Sequence, residues 1–222
     1  IRSANAVRAG FTASASSTGV TDENSRGDSV ADSGTATGNE IGVVNVGPEF
    51  TLVSKSLTTN GVPQNNAATI AISTSTLTAT FNIKVKAVGG ALVFGISQAT
   101  STTGAFVSST TGFTIYRDGS SDASISSNAT STSITFPSTC STVGYTGATA
   151  NSCQLAEGAE TVATVAYQLQ GRQTASTVFT PGLYSVGLAR LNWVYDNASG
   201  GTRSSTFMSG EADWRTSEVS FP

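Results

Sequence analysis

The chain has no histidine. That removes the commonest acid–base side chain and the commonest metal ligand, and with them any Ser-His-Asp or Cys-His catalytic set. Two cysteines, Cys140 and Cys153, are too few to close a metal site without histidine. Charge is also scarce. Asp, Glu, Lys and Arg make up 11% of 222 residues, with a formal net charge of −3, against about a quarter in ordinary domains. The few cations are scattered, with only Lys84 and Lys86 close together, so no basic patch is present for nucleic acid. Apolar runs are short. The longest, "GGALVFGIS", is strand-sized and falls far below the ~20 residues of a membrane helix. No cofactor, metal, nucleic-acid partner or membrane span is expected.

Ser, Thr, Ala and Gly fill the space that charge leaves, and hydrophobic residues reach 38%. This balance suits a β-rich extracellular protein with a modest core. The clearest local signal is alternation. Leu77, Ala79, Phe81, Ile83 and Val85 alternate with Thr78, Thr80, Asn82, Lys84 and Lys86, the period of a strand with one dry face. Ala163, Val165, Tyr167 and Leu169 repeat the pattern in "ETVATVAYQLQ". "EIGVVNVGPEFTLVSKSLTT" reads as a strand, a Gly-Pro break, and a second strand with Phe50 and Leu52 inward. "ALVFGIS" reads as a strand buried on both faces. "FTIYRDGSSD" reads as a strand ending in an Asp-Gly turn, "SISSNATSTSITF" as a polar strand near a sheet edge, and "SEVSFP" as a terminal strand. No segment carries apolar spacing of three and four over a helical length. Many short strands between Gly, Pro, Asn and Asp signals predict an all-β, antiparallel β-sandwich over residues 41–222, immunoglobulin-like or jelly-roll. In "PGLYSVGL", Tyr184 and Val186 stand where immunoglobulin-like sandwiches often read Gly-x-Tyr-x-Val; the segment resembles that strand. Cys140 and Cys153 share one segment, unlike the inter-sheet pair of antibody domains.

Residues 1–40 differ in character. Val7, Ala9, Phe11, Ala13 and Ala15 alternate with Arg8, Gly10, Thr12, Ser14 and Ser16, which predicts a strand with one apolar face. A linker rich in Ser, Thr, Gly and Asp follows, too polar to order itself by burial. The chain begins at Ile1 and shows no signal-peptide pattern, so a processed or trimmed end is expected. A lone strand needs a sheet, and a structureless connection of about 20 residues or more is uncommon inside a compact domain. The layout resembles that of donor-strand-assembled filament subunits of the pilin type, in which an alternating N-terminal strand completes the β-sandwich of the next subunit. The resemblance implies that Val7, Ala9, Phe11, Ala13 and Ala15 are the donor strand. Val7 and Phe11 are then the large anchors, and the alanines suit a groove in an already packed body.

The remaining motifs are short and local. Cys140 and Cys153 predict a local disulfide bracing a polar loop rather than the core, and an oxidising compartment. Glu157 with Glu160, and Glu211 with Asp213, are carboxylate pairs of the kind glycoside hydrolysis uses, and solubility explains both equally well. "DENSRGD" offers Asp22, Asn24 and Asp28 at calcium-loop spacing, but Arg26 and Ser33 occupy positions that need acidic ligands. In "DGSSD", Asp118, Ser120 and Asp122 read as a hairpin turn. Arg26-Gly27-Asp28 spells an adhesion tripeptide and is taken as coincidence. Asn128 and Asn197 head glycosylation sequons. Tyr184, Trp193, Tyr195 and Trp214 are candidates for a sugar-binding platform, with core packing as the alternative.

Together these features predict an extracellular or cell-surface structural protein, not an enzyme. It is read as a subunit of a filament, pilus or surface layer whose main partner is itself, with a host or neighbouring cell surface as a second partner. The alternative is a monomeric secreted adhesin or carbohydrate-binding module; a secreted hydrolase and a viral coat subunit are more distant readings.

Overall fold

The computed structural model describes residues 11–12, 22–23, 26, 29–30, 42–43, 46–60, 76–96, 105–122, 129–137, 152–170, 182–195 and 203–221. The chain divides into two compact units, Ile1–Asn45 and Val46–Pro222.

In the first unit, β1 (Phe11–Thr12) pairs antiparallel with β4 (Gly42–Val43), and β2 (Asp22–Glu23) with β3 (Ser29–Val30). Among the described residues each ladder has two residue pairs.

The second unit contains β5 (Gly47–Asn60), β6 (Thr76–Val88), β7 (Leu92–Gly95), β8 (Phe113–Arg117), β9 (Ser120–Ser121), β10 (Ala129–Thr135), β11 (Ser152–Leu155), β12 (Glu160–Gln170), β13 (Gly182–Leu188), β14 (Leu191–Tyr195), β15 (Arg203–Ser205) and β16 (Val219–Phe221). One turn of 3-10 helix, Ala212–Trp214, precedes the last strand. These strands form three antiparallel sheets of four, ordered β10-β12-β6-β5, β11-β7-β14-β15 and β16-β13-β8-β9. The fold is an all-β sandwich, as the alternation predicts.

The first sheet forms its own layer. Leu77, Ala79, Phe81, Ile83 and Val85 of β6 are fully buried, as are Ala163, Val165 and Leu169 of β12. Lys86 is exposed and Lys84 half-exposed on the other face. This inner face meets both remaining sheets. Phe50 of β5 contacts Trp193 of β14, ring centroids 6.1 Å apart, and Phe81 of β6 contacts Phe113 of β8 at 6.2 Å. All four residues of β7 are buried, as expected for "ALVFGIS". A segment read as no element, Ala105–Val107, is equally buried. Phe106 packs between Phe94 and Phe136, both at 5.4 Å, and its backbone bonds to Gly95 and Asn192.

One boundary differs from expectation. Gly47-Pro48 does not break a strand but begins one, and β5 runs 14 residues. Proline is admissible because β5 is an outermost strand and Pro48 stands at its start, where a missing N–H costs no ladder bond. A bulge at Val53 shifts the register between Leu52 and Ser54. Before it Phe50 and Leu52 face inward, and after it Lys55 and Leu57 do.

Candidate functional site

The N-terminal strand is the first candidate. Phe11 and Thr12 are in strand conformation, with Phe11 opposite Val43 and Thr12 opposite Gly42. This ladder lies in the first unit and belongs to none of the three four-stranded sheets. Val7, Ala9, Ala13 and Ala15 lie outside the described residues.

The sheet edges are the second. Among the described residues, the outermost strands of the three four-stranded sheets are β5, β10, β11, β15, β16 and β9. They are unequal. β5 carries Pro48, the Val53 bulge, and Lys55 pointing inward opposite Phe81. The Lys55 Nζ leaves the apolar interior by donating to the carbonyl oxygens of Ala212 at 3.0 Å and Asp213 at 2.7 Å. β11 has four residues, β15 and β16 three each, and β9 two. β10 has seven, "ATSTSIT", and pairs with β12 without a register shift from Ala129↔Gln170 to Thr135↔Thr164. Ile134 is buried and Thr132 half-buried, while Ser131, Ser133 and Thr135 are exposed. This is the polar edge strand that "SISSNATSTSITF" predicts.

The outer face of the first sheet is a hydroxyl and amide surface. Thr135, Thr164, Asn82 and Ser54 form one row across the four strands. Thr164 Oγ1 donates to Asn82 Oδ1, and Asn82 Nδ2 donates to Ser54 Oγ, both at 2.7 Å. Such cross-strand polar pairs hold register without apolar contact.

The aromatic candidates do not make a platform. Tyr184 is fully buried, and Trp193 and Trp214 are buried as well. Tyr195 is half-buried and packs on the core, with the Arg203 guanidinium 4.6 Å from its ring centroid. Trp193 and Tyr195 share a face because they stand two residues apart in β14, and that face meets Phe50 at Trp193. Among the described residues, the exposed large hydrophobic side chains are Val53, Val88, Val162 and Leu183, none of them aromatic.

The carboxylate pairs are surface features. Glu157 and Glu160 are exposed around the Gly158 turn, and Glu160 lies 3.8 Å from Lys84. Glu211 caps the start of the 3-10 turn and Asp213 lies within it. "DGSSD" forms the expected hairpin turn, with Asp118 and Gly119 both at positive φ. Asp118 Oδ1 accepts from the Leu183 N–H at 2.9 Å, and Asp122 pairs with Arg117 at 3.1 Å. Among the described residues, no cluster of three or more His, Cys, Asp or Glu could hold a metal. Nor is any helix there long and apolar enough to cross a membrane.

Cys153 is disulfide-bonded. Its position corrects the expectation that the bond braces a loop away from the core. Cys153 lies in β11 opposite Phe94, fully buried within the apolar cluster. A half-cystine is small and apolar, so the core accepts it as readily as valine. Cys140, Asn128 and Asn197 lie outside the described residues. Arg26 is exposed in the turn between β2 and β3; Gly27 and Asp28 lie outside the described residues.

Residues that the sequence reading did not single out include Phe106, Met208 and Lys55. Phe106 and Met208 are fully buried. Their neighbours "STTGAFVSST" and "TFMSGE" are turn-like, with no period to mark them. Comparison with protein-family models, with curated proteins and with solved structures finds no match to this chain.

Proposed function

We propose that this chain is a structural subunit of an extracellular filament, pilus or surface layer, and that it polymerises by adding its N-terminal strand to the sheet of a neighbouring subunit. The observation that carries this reading is that β1 pairs with β4 in the first unit and is not a strand of any of the three four-stranded sheets among the described residues. The three four-stranded sheets are made of strands of the second unit, and the alternating N-terminal sequence asks for a sheet to cover its apolar face. A donor role asks the alternating segment 7–15 to pair along its length with a sheet of the neighbour. The burial of Tyr184, Trp193 and Trp214 turns the choice away from a sugar-binding module, which needs such rings exposed on one face.

Assembly of single-site variants tests the reading. Burying Val7 and Phe11 in a neighbour would contribute roughly 1.5–3 kcal/mol each. Phe11→Asp would place an unpaired charge in that groove, at a large cost. Thr12→Asp lies on the opposite face and would do much less. Electron microscopy and sedimentation should show polymer for wild type and Thr12→Asp, and loss of polymer for Phe11→Asp. A wild type that stays monomeric under all assembly conditions defeats the reading.

A further inference from the structure

We infer that the outer edge of β10 is the acceptor for the N-terminal strand of a second copy of this chain. The inference deepens the filament reading and rests on it.

An outermost strand presents a row of backbone N–H and C=O groups to any passing strand, and proteins blunt such edges in a few recognisable ways. Of the six outermost strands of the three four-stranded sheets, five are blunted among the described residues. Among the described residues β9, β11, β15 and β16 hold four residues or fewer. The long β5 combines a proline, a bulge and an inward lysine tied down to Ala212 and Asp213. β10 alone has length without a guard. Its seven residues contain no proline, no charge and no glycine, and its register is unbroken. No strand among the described residues pairs with its outer side.

The side chains of β10 also define what would fit. Thr132 and Ile134 face the interior, and Ser131, Ser133 and Thr135 face out. A strand added beside it must continue the apolar inner layer with one set of alternate residues and the hydroxyl-rich outer face with the other. Residues 7–15 do both, with Val7, Ala9, Phe11, Ala13 and Ala15 on one side and Arg8, Gly10, Thr12 and Ser14 on the other. β10 offers a seven-residue edge for that ladder.

The test installs the missing guard. In full-length chain, S131K together with S133K puts two exposed lysines on β10, facing Arg8 of an incoming strand. S56K with T58K does the same on β5, whose edge is already guarded. Sedimentation should show polymer mass falling roughly tenfold or more for the β10 pair, since like charges opposite one another across strands repel. The β5 pair should assemble as wild type does. Hydrogen exchange of the wild type supplies a second readout that needs no variant. Alternate β10 amides point away from β12, and those amides should gain protection on assembly. Normal assembly of the β10 pair, or unchanged exchange in β10, overturns the acceptor assignment. If Phe11→Asp still abolishes polymer in that case, the filament reading survives and only the edge is wrong. Blocked assembly in the β10 pair with normal assembly in Phe11→Asp overturns the occupant and points to β10 pairing with β10 of the second copy. Protection of those amides already in the monomer overturns the inference in favour of a strand from the same chain.

Discussion

Phe113 stacks on Tyr167, with ring centroids 4.1 Å apart and planes 16° from parallel. Phe113 opens β8 and Tyr167 lies in β12, so the pair joins two different sheets face to face. Tyr167 is nearly fully buried by this packing, and burial pushes its hydroxyl up to about 12 from the ordinary tyrosine value near 10.

The first prediction follows from that shift. Below about pH 10 both folded and unfolded chains hold the Tyr167 proton, and its contribution to stability is complete. As pH rises from about 10 to about 12 the unfolded chain ionises at this site while the folded chain does not, so stability falls; the total is roughly 2–3 kcal/mol. Burial also raises Tyr184, against the opposing pull of Arg117, and adds to the same alkaline limb. Denaturant titrations at about pH 9 and about pH 11.5 should show the drop, and Tyr167→Phe should flatten part of it. An equal drop in that variant removes Tyr167 as the cause.

Phe81 is fully buried and contacts Phe113 at 6.2 Å. Phe81→Ala should cost roughly 3–5 kcal/mol in chemical denaturation. Lys84→Ala, on the outer face beside exposed Glu160, should change stability by about 0.5 kcal/mol or less. A loss below about 1 kcal/mol for Phe81→Ala would contradict its place in the core.

Gly112 closes the loop that carries buried Phe106 and Val107. A Cβ there would collide with the Val107 side chain and, at 2.5 Å, with the backbone oxygen of Ser108. Relief is hard, because the Gly112 N–H bonds that same oxygen and its carbonyl accepts from Ala189. Gly112→Ala should destabilise by about 1–3 kcal/mol. By contrast nothing lies within 4 Å of a Cβ built on Gly210, so Gly210→Ala should cost only the strain of its positive φ, about 1 kcal/mol. Thermal melts of the two variants should rank in that order.

Cys153 should resist alkylation in the native protein, because it is both bonded and buried. Intact mass after unfolding in reductant should rise by two hydrogens. Cys153→Ala should lower stability by roughly 2–4 kcal/mol, through loss of the loop constraint. An alkylated native thiol would contradict the bond.

What the sequence determined by itself is the pattern that depends only on neighbours along the chain. Leu77 to Val85 and Ala163 to Leu169 alternate because a strand has period two, and one dry face suffices to make that visible. Asp118-Gly119 announces its turn because few residues tolerate positive φ. The hydroxyl-rich run of β10 marks an outermost strand, since a buried central strand has no solvent for Ser and Thr. What only the tertiary structure decided depends on which strand lies beside which. Pro48 is allowed in β5 because that strand has a neighbour on one side only among the described residues. Lys55 faces inward because a one-residue bulge reverses the faces, and it is tolerated because two carbonyls from a distant turn meet its ammonium. Trp193, Phe106 and Cys153 are core residues because residues from all three sheets converge into the one apolar cluster that includes them. Convergence is a property of distances between segments far apart in sequence, and no local period encodes it.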